Sequence, residues 1–412
     1  MMERRKNLND KFGFVQIMEV KQLVKIPDVL FFQEGPGVRN SQYTEEGIKL
    51  LNVANLVDGK IDLTTSNRYI SESEAYGKYK HFLCDDGDFI VASSGIKVEY
   101  INKKMGFVTK SMLPLCMNTS TIRFKVLDKN RLDIKYFMYY LKSQNFKNQL
   151  YKYITGSAQL NFGPSHLKKI SFPLCDIGEQ RIIVNNMELI TKIMDSYNEQ
   201  LEKYDELVKA RFIEMFGDPL LNPNGHLKEK IEKHINLLSG YPFKSEQYVE
   251  KGINICGGLI IMPQKIKWDE CVHWSSVEGF EDYLLNENDI VMALDRPWIS
   301  GGFKIAKVDA EHLPALLIQR TARIRSIDIN QDYLYYCFIT GGFDKHSNVT
   351  GSLVPHISAK DIRSFEIMIP PVELQNQFAD FVQQVDKSRE EVKRSLEKTQ
   401  QLYDSLMQEY FG

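Results

Sequence analysis

Hydrophobic residues recur at alternating steps of four and three positions in two long segments of the chain. This 3.5-residue period over several heptads is typical of helices that pack in a coiled coil. No Gly or Pro occurs from Glu179 to Phe216 or from Val372 to Phe411, so each segment predicts one helix of roughly 55–60 Å. The shared phase favours pairing of the two helices over separate packing on their own domains. The positions predicted to pair are Ile183, Met187, Ile190, Met194, Tyr197, Leu201, Tyr204 and Val208 in the first helix, and Phe378, Val382, Val385, Val392, Leu396, Tyr403 and Leu406 in the second.

The two helical segments belong to an internal repeat. Residues 155–217 align with residues 350–412 without a gap, so that Gln180 matches Gln375 and a Phe-Gly pair ends both stretches. Further matches lie upstream, where "SQYTEEGIKLLNV" resembles "EQYVEKGINICGG" and "DDGDFIVA" resembles "NENDIVMA". Each half therefore has a globular part followed by a long helix.

The globular parts mix strand-like and helix-like patterns. Short runs such as "FIVASSG", "STIRFKV", "NDIVMAL" and "ALLIQRTARIRS" predict strands, and "DIKYFMYYLKSQNFKNQLYKY" predicts a helix. We therefore predict an α+β fold with two globular domains in tandem, at residues 1–175 and 218–371, and helices at 176–217 and 372–412. Gly217 and the prolines that follow it end the first helix.

The composition of the 412-residue chain, with 43% hydrophobic and 26% charged residues, is typical of a soluble globular protein. No apolar run reaches the ~18–20 residues of a membrane span, and the basic N-terminus lacks the apolar region of a secretory signal. The six cysteines form no C-x-x-C pair, which predicts a reducing, cytoplasmic location. The net charge is −2, yet residues 1–175 hold 26 Lys and Arg against 17 Asp and Glu, and only this block has a basic excess.

The sequence lacks the catalytic motifs that we sought. It has no GxxxxGK[ST] for ATP, and no Asn or Asp precedes a Pro-Pro as an adenine methyltransferase requires. These absences disfavour a solitary nuclease or a fused methyltransferase. "DDGD" at Asp85 lacks the Glu that ends a calcium loop, so we predict a turn into a strand at Phe89. A metal at Cys271 and His273 is also disfavoured, because their spacing matches no metal motif.

Polar, cationic and aromatic residues cluster in both halves at places predicted to be loops. Such side chains bind phosphates and reach the base edges of DNA. The alternative is a solvated loop whose aromatic residues anchor it to its own domain. The residues predicted to contact DNA are Arg68, Tyr69, Lys78, Tyr79, Lys80, Ser94, Lys97, Lys103, Ser157 and Gln159 in the first half, and Arg296, Trp298, Ser300, Lys304, Ser352 and His356 in the second.

Four short motifs, repeated in the same order in both halves, resemble the specificity (HsdS) subunits of type I restriction-modification systems. The first is Y-x-x-x-G-I, and the second is a Gly-Asp before a strand, which the second half alters to Asn288-Asp289. Thr-Gly-Ser follows, and then a degraded I-P-x-P-x-x-E-Q at the start of each long helix. The residues that carry these motifs are Tyr43, Gly47, Ile48, Gly87, Asp88, Thr155, Pro173, Glu179 and Gln180 in the first half, and Tyr248, Gly252, Ile253, Thr350, Pro370, Pro371 and Gln375 in the second.

The resemblance implies a protein without chemistry of its own. Each target-recognition domain would read one half of a bipartite, asymmetric sequence in double-stranded DNA. The two helices would pack antiparallel, give a pseudo-twofold particle, and fix the half-site separation. Two modification (methyltransferase) subunits would dock on them, and restriction motor-nuclease subunits would join. S-adenosylmethionine, ATP and Mg²⁺ would belong to those partners, with no cofactor in this chain. The alternative is a coiled-coil scaffold whose globular halves bind protein partners only.

Overall fold

The computed structural model of the chain describes residues 21–153, 160–347 and 355–412, with only the backbone at positions 160 and 161. Residue contacts divide the chain into two compact units. The first unit comprises the chain up to Ser196 together with Ser395–Gly412, and the second unit comprises Tyr197–Arg394. The predicted DNA-contacting residues Ser157, Gln159 and Ser352, and with them both Thr-Gly-Ser motifs, lie outside the described residues. Each unit therefore contains a globular domain and a part of each long helix, and the four-part division of the sequence stays a prediction.

A four-stranded antiparallel sheet forms the centre of the first unit. Thr121–Val126 lies between Leu30–Glu34 and Phe89–Ala92, and Met105–Phe107 pairs with the other edge of Phe89–Ala92. Every residue of Phe89–Ala92 is buried, which explains why this strand has a continuous apolar run instead of an alternating pattern. The remaining strands of the unit are Ile48–Leu51 between Leu115–Met117 and Tyr69–Ile70, Gln22–Lys25 paired with Ser171–Leu174, Leu56–Val57 paired with Lys60–Ile61, and Ser94–Ile96 paired with Leu160–Asn161.

The second unit repeats this topology. Its four-stranded sheet places Thr321–Ser326 between Ile235–Ser239 and Ile290–Ala293, with Ile305–Lys307 at the far edge. The order and the antiparallel directions match those of the first unit, which confirms the internal repeat. The remaining strands are Ile253–Cys256 between Val272–Trp274 and Ala315–Leu317, Leu227–Lys230 paired with Glu366–Ile369, Ile261–Met262 paired with Lys265–Ile266, and Trp298–Ile299 paired with Gly302–Phe303.

Two runs that the sequence predicted as single elements are each divided. "DIKYFMYYLKSQNFKNQLYKY" forms two helices, Ile134–Lys142 and Gln144–Tyr153, because Ser143 leaves the helical conformation and its Oγ accepts the Phe146 amide at 3.2 Å. "ALLIQRTARIRS" forms two strands separated by a turn at Arg320, whose φ of 64° is left-handed. The other short helices are Glu72–Tyr76, Pro164–Leu167, Gln331–Thr340, Phe343–His346 and Ala359–Ser364.

The two predicted long helices are Ile177–Phe216, the central helix, and Val372–Phe411, the C-terminal helix. Each has 40 residues, which corresponds to about 60 Å. Gly217, with φ of 83°, ends the central helix, and a side chain there would collide with Pro223.

The helices run antiparallel to each other where they meet. In the second unit, Phe216 contacts Phe378 near the start of the C-terminal helix, whereas Asp205 pairs with Arg389 at 2.6 Å, farther along it. In the first unit, Asn186 near the start of the central helix donates to the Tyr410 hydroxyl at 3.1 Å. These contacts confirm an α+β fold with an antiparallel helix pair. Every predicted pairing position is buried or half-buried.

An aromatic residue at the end of each long helix enters the core of a globular domain. In the first unit, the ring of Phe411 lies 5.0 Å from that of Tyr136. In the second unit, the ring of Phe216 lies 4.7 Å from that of Tyr333. Both phenylalanines are fully buried. Each globular domain therefore packs against the start of the helix that follows it and against the end of the helix that follows the other domain. The repeat alone does not reveal this exchange of helix ends.

The start of each helix is fixed by a buried glutamine. Gln180 accepts the amide of Asp133 at 2.8 Å and donates to the Cys175 carbonyl at 2.8 Å. Gln375 likewise accepts the amide of Asn330 at 2.8 Å and donates to the Pro370 carbonyl at 2.8 Å. The glutamine of the I-P-x-P-x-x-E-Q motif therefore joins the long helix to the first turn of a domain helix.

Candidate nucleic-acid interface

The Gly-Asp motif before the buried strand forms a turn in both units, as the sequence predicted for Asp85. Asp88 accepts the Asp85 amide at 2.9 Å and lies 3.2 Å from the buried guanidinium of Arg123. Asp289 accepts the Asn286 amide at 2.7 Å, and its partner is Arg325 at 2.7 Å. These aspartates stabilise the domain core. The Gly-Asp motif is therefore structural and is not itself part of the candidate DNA-binding surface.

The altered glycine of the second motif has a conformational explanation. Gly87 has φ of 84° and Asn288 has φ of 66°. Asparagine is among the few residues that adopt the left-handed region at low cost. The turn is therefore preserved although the glycine is not.

In the first unit, cationic and aromatic side chains meet beside the strand Tyr69–Ile70. The Arg68 guanidinium lies 5.1 Å from the ring centre of Tyr43 and donates to its hydroxyl at 3.3 Å. Lys49 lies 5.3 Å from the ring centre of Tyr69 and donates to Asn67 at 3.0 Å. Arg68 and Asn67 are exposed and Tyr69 is half-buried. Cations stacked on rings in this way have fixed orientations and keep donors available for phosphates or bases.

The stretch that follows Arg68 is more ordered than the predicted loop, because it contains a strand and the helix Glu72–Tyr76. Lys78 and Lys80 are exposed, and the Lys78 ammonium lies 4.9 Å from the ring centre of Tyr79. Tyr79 itself is only 4% exposed and its hydroxyl lies 3.1 Å from the Gln42 amide nitrogen. This burial is a correction to the prediction that Tyr79 contacts DNA, because the ring packs in the domain core and presents almost no surface.

Three more predicted residues lie near the end of the buried strand Phe89–Ala92. The Ser94 hydroxyl is bonded to that of Ser120 at 2.6 Å. Lys97 and Lys103 are exposed on the segment that follows. A hydrogen bond from the Tyr151 hydroxyl lowers the pKa of Glu99, and Lys97 nearby acts in the same direction. Glu99 is therefore a carboxylate that offsets part of the positive charge here.

In the second unit, the corresponding segment forms a small hairpin of Trp298–Ile299 and Gly302–Phe303. Arg296 and Ser300 are exposed, whereas Trp298 is half-buried and stacks on Phe303 with ring centres 5.1 Å apart. Lys304 is 6% exposed and its ammonium donates to the Gly258 carbonyl. Burial lowers the pKa of Lys304, and the nearby Arg296 lowers it further. The prediction of DNA contact is therefore corrected for Lys304, which holds the hairpin against the domain.

His356 lies in a charged cluster that includes two residues missing from the prediction. Asp295 is 2.6 Å from the His356 Nδ1 and 3.2 Å from the Arg320 guanidinium. Asp295 lies two residues after the buried strand Ile290–Ala293, and Arg320 lies in the turn between two strands that the sequence presented as one run. The separation of these residues along the chain is the reason that no local pattern identified the cluster. The remaining predicted contacts stay predictions.

Among the described residues, Cys271 and His273 do not belong to a larger group of side chains that could bind a metal ion. Cys271 Sγ lies 3.8 Å from His273 Nε2 and 3.4 Å from Asn254 Oδ1. Within the described ranges, no group of three or more His, Cys, Asp or Glu side chains could hold a metal ion. The six cysteines are free thiols. None of the helices in those ranges is both long enough and apolar enough to cross a membrane.

Two copies of one domain, each with an exposed arginine beside its sheet residues and each joined to an antiparallel helix pair, define a tandem recognition protein. The family model described as the type I restriction modification DNA specificity domain matches residues 22–203 and again residues 240–400. The chain belongs to this family, in agreement with the resemblance seen in its motifs.

Curated relatives agree with this assignment. The type I restriction enzyme EcoAI specificity subunit of Escherichia coli is 32% identical over 187 residues, which cover 42% of this chain and 31% of that protein. The chain thus matches about a third of that relative's length. The type I restriction enzyme MjaVIII specificity subunit of Methanocaldococcus jannaschii is 22% identical over 97% of this chain and 95% of its own length.

Solved structures share the fold over almost the whole chain. The S subunit of a type I restriction-modification system from M. genitalium has a TM-score of 0.51 at 16% identity, covering 97% of this chain and 98% of its own. A chain from a type I restriction-modification system whose complex assembly and conformational transition were studied has a TM-score of 0.54 at 14% identity, covering 96% and 98%. At these identities the likeness shows the fold alone.

Proposed function

We propose that this chain reads a bipartite, asymmetric sequence in double-stranded DNA, with one globular domain for each half-site. One observation carries the proposal: the two domains share strand order and helix-anchoring contacts but differ in their exposed polar groups. A repeated frame with different surfaces suits a target with two different halves, which a symmetric homodimer would not match. The Arg68–Tyr43 stack in the first unit and the exposed Arg296 in the second unit supply cations for this contact.

The helix pair, in this proposal, sets the distance between the half-sites and docks two methyltransferase subunits, which restriction motor-nuclease subunits then join. S-adenosylmethionine, ATP and Mg²⁺ act on those partners, and this chain contributes recognition without a reaction of its own. The reciprocal anchoring supports the role of the helices. Because Phe411 and Phe216 are fully buried in the domain cores, a change in helix length would be transmitted to the domains.

The rival function is a scaffold whose globular halves bind protein partners only. Fluorescence anisotropy distinguishes the two functions. It would measure how the chain, in complex with its modification subunit, binds DNA duplexes of different sequence. We expect tight binding to one bipartite sequence, and weaker binding to all others that falls steeply with salt. No binding at all, or binding that is independent of both sequence and salt, would support the scaffold.

An insertion tests the role of the helices. Four residues added after Tyr197, where the central helix passes from one unit to the other, should change the spacer length accepted in the target and leave both half-sites unchanged. The control is a four-residue insertion in the exposed turn at Glu278 and Gly279, which should leave the spacer as it is. An altered half-site preference after the helix insertion would overturn this role.

A further inference from the structure

We infer that Asp295, Arg320 and His356 form a base-reading contact of the second unit, in which Arg320 reads a guanine and the other two residues orient it. This inference rests on the proposed function, because it names the side chains that would read one half-site. At this place the two domains share their backbone contacts but differ in their side chains.

In the first unit, two backbone hydrogen bonds and a left-handed turn surround the end of the buried strand Phe89–Ala92, and we call this arrangement the frame. The Ser93 amide donates to the Ser120 carbonyl at 2.8 Å, and the Ser93 carbonyl accepts the Phe162 amide at 2.9 Å. Ser120 has φ of 65°. The buried strand therefore ends between a left-handed turn on one side and the chain after the undescribed segment on the other.

The second unit reproduces the frame. The Leu294 amide donates to the Arg320 carbonyl at 2.9 Å, and the Leu294 carbonyl accepts the Ile357 amide at 2.8 Å. Arg320 has φ of 64°, nearly the value of Ser120. Asp295 forms an antiparallel bridge with His356. Arg320 thus occupies the place of Ser120, and Asp295 that of Ser94.

The side chains on this frame differ completely. In the first unit, two serine hydroxyls bond each other at 2.6 Å and form a small neutral site. In the second unit, Asp295 holds the Arg320 guanidinium at 3.2 Å and the His356 ring at 2.6 Å. At the helix starts, in contrast, Gln180 and Gln375 keep both their type and their contacts. The two domains therefore differ in their surface side chains, as expected if they read half-sites of different sequence.

The geometry of Arg320 suits readout. Its side chain is 74% exposed, and the ion pair with Asp295 restricts its direction. The left-handed turn fixes the backbone of Arg320, as it fixes that of Ser120 in the first unit. A guanidinium presented edge-on matches the O6 and N7 acceptors of guanine in the major groove.

The test uses the full chain in complex with its modification subunit, and a panel of duplexes with every single-base change in the target. Arg320→Ser introduces the residue of the first unit. We expect a roughly tenfold or greater loss of preference at one base pair of one half-site, with the other half-site unchanged. Arg363→Ser, which removes another exposed arginine of the same unit, should leave the whole preference intact.

A second variant controls for the possibility that Arg320→Ser fails to fold. Arg320→Lys keeps the charge but loses the planar fork, so it should weaken the base preference and retain affinity for unrelated DNA. If both Arg320 variants weaken binding equally for all sequences, or change nothing, Arg320 contacts phosphate or no DNA and the inference fails. If the unaltered complex shows no sequence preference at all, the proposed function fails instead.

Discussion

The two units of this chain agree in the framework that leads into each long helix and differ in what they expose. The Tyr136 hydroxyl donates to the Pro173 carbonyl at 2.7 Å, and the Tyr333 hydroxyl donates to the Met368 carbonyl at 2.8 Å. At the surface, however, the first unit has two bonded serines where the second has Asp295 and Arg320. The Gly-Asp motif and the helix-start glutamines are thus structural, and under the proposed function recognition would depend on residues that the repeat does not preserve.

The largest expected effect comes from the exchanged aromatic residues. Phe411→Ala should destabilise the first unit by about 3–5 kcal/mol, because it leaves a cavity beside Tyr136. Hydrogen exchange measured by mass spectrometry should show lost protection in Ile134–Lys142. Phe216→Ala should do the same to Gln331–Thr340 in the second unit. Leu207→Ala, at an exposed position of the central helix, is the control, and protection lost in the opposite unit would contradict the exchange.

Substitution of the motif aspartate, Asp88 or Asp289, should destabilise the two units by different amounts. Asp88→Asn should lower the free energy of unfolding of the first unit by about 3 kcal/mol, because it leaves the buried guanidinium of Arg123 without its charge partner. Asp289→Asn should cost less, about 1.5 kcal/mol, because its partner Arg325 is partly exposed and can reach water. Urea unfolding measures both, and equal losses would show that exposure of the arginine does not decide the cost.

Substitution of the glutamine at either helix start should destabilise its unit by the same amount. Gln180→Leu and Gln375→Leu each leave buried backbone groups without partners, so each should lower the free energy of unfolding of its unit by about 2 kcal/mol. Gln200→Leu at an exposed helix position is the matched control. A loss confined to one unit would mean that the two helix anchors are not equivalent.

The smallest effect is expected at the motif glycine. Gly87→Asn copies the second unit and should change the free energy of unfolding by no more than about 1 kcal/mol, because asparagine tolerates the left-handed backbone. Gly87→Val should cost more, since a β-branched residue is disfavoured there. Thermal unfolding of both variants checks the order, and the reverse order would contradict the explanation given for Asn288.

Much of the fold was predictable because its signals are local. The 3.5-residue period identified both long helices, and Gly217 marked the end of one of them. The exchange of Phe216 and Phe411 was not predictable, because an ungapped repeat is equally compatible with each helix packing on its own domain. The break at Ser143 depends on one hydrogen bond within a run of otherwise helical pattern.

The candidate site was less predictable than the fold. Composition identified cationic and aromatic stretches, but it could not distinguish the exposed Lys78 from the buried Tyr79. Asp295 and Arg320 come together only because strand pairing brings the ends of separate strands side by side. Burial and long-range pairing are properties of the folded sheet, and no single stretch of sequence expresses them.

The central claim is that each globular domain reads one half-site, and a map of methylated DNA tests it most directly. A chain in which residues 22–174 are replaced by a second copy of residues 227–369 would be produced with its modification subunit, and methylated sites in the host DNA would be sequenced. If each domain reads one half-site, the two different half-sites of the unaltered chain should be replaced by two copies of one half-site. An unchanged target, with both original halves retained, would contradict it.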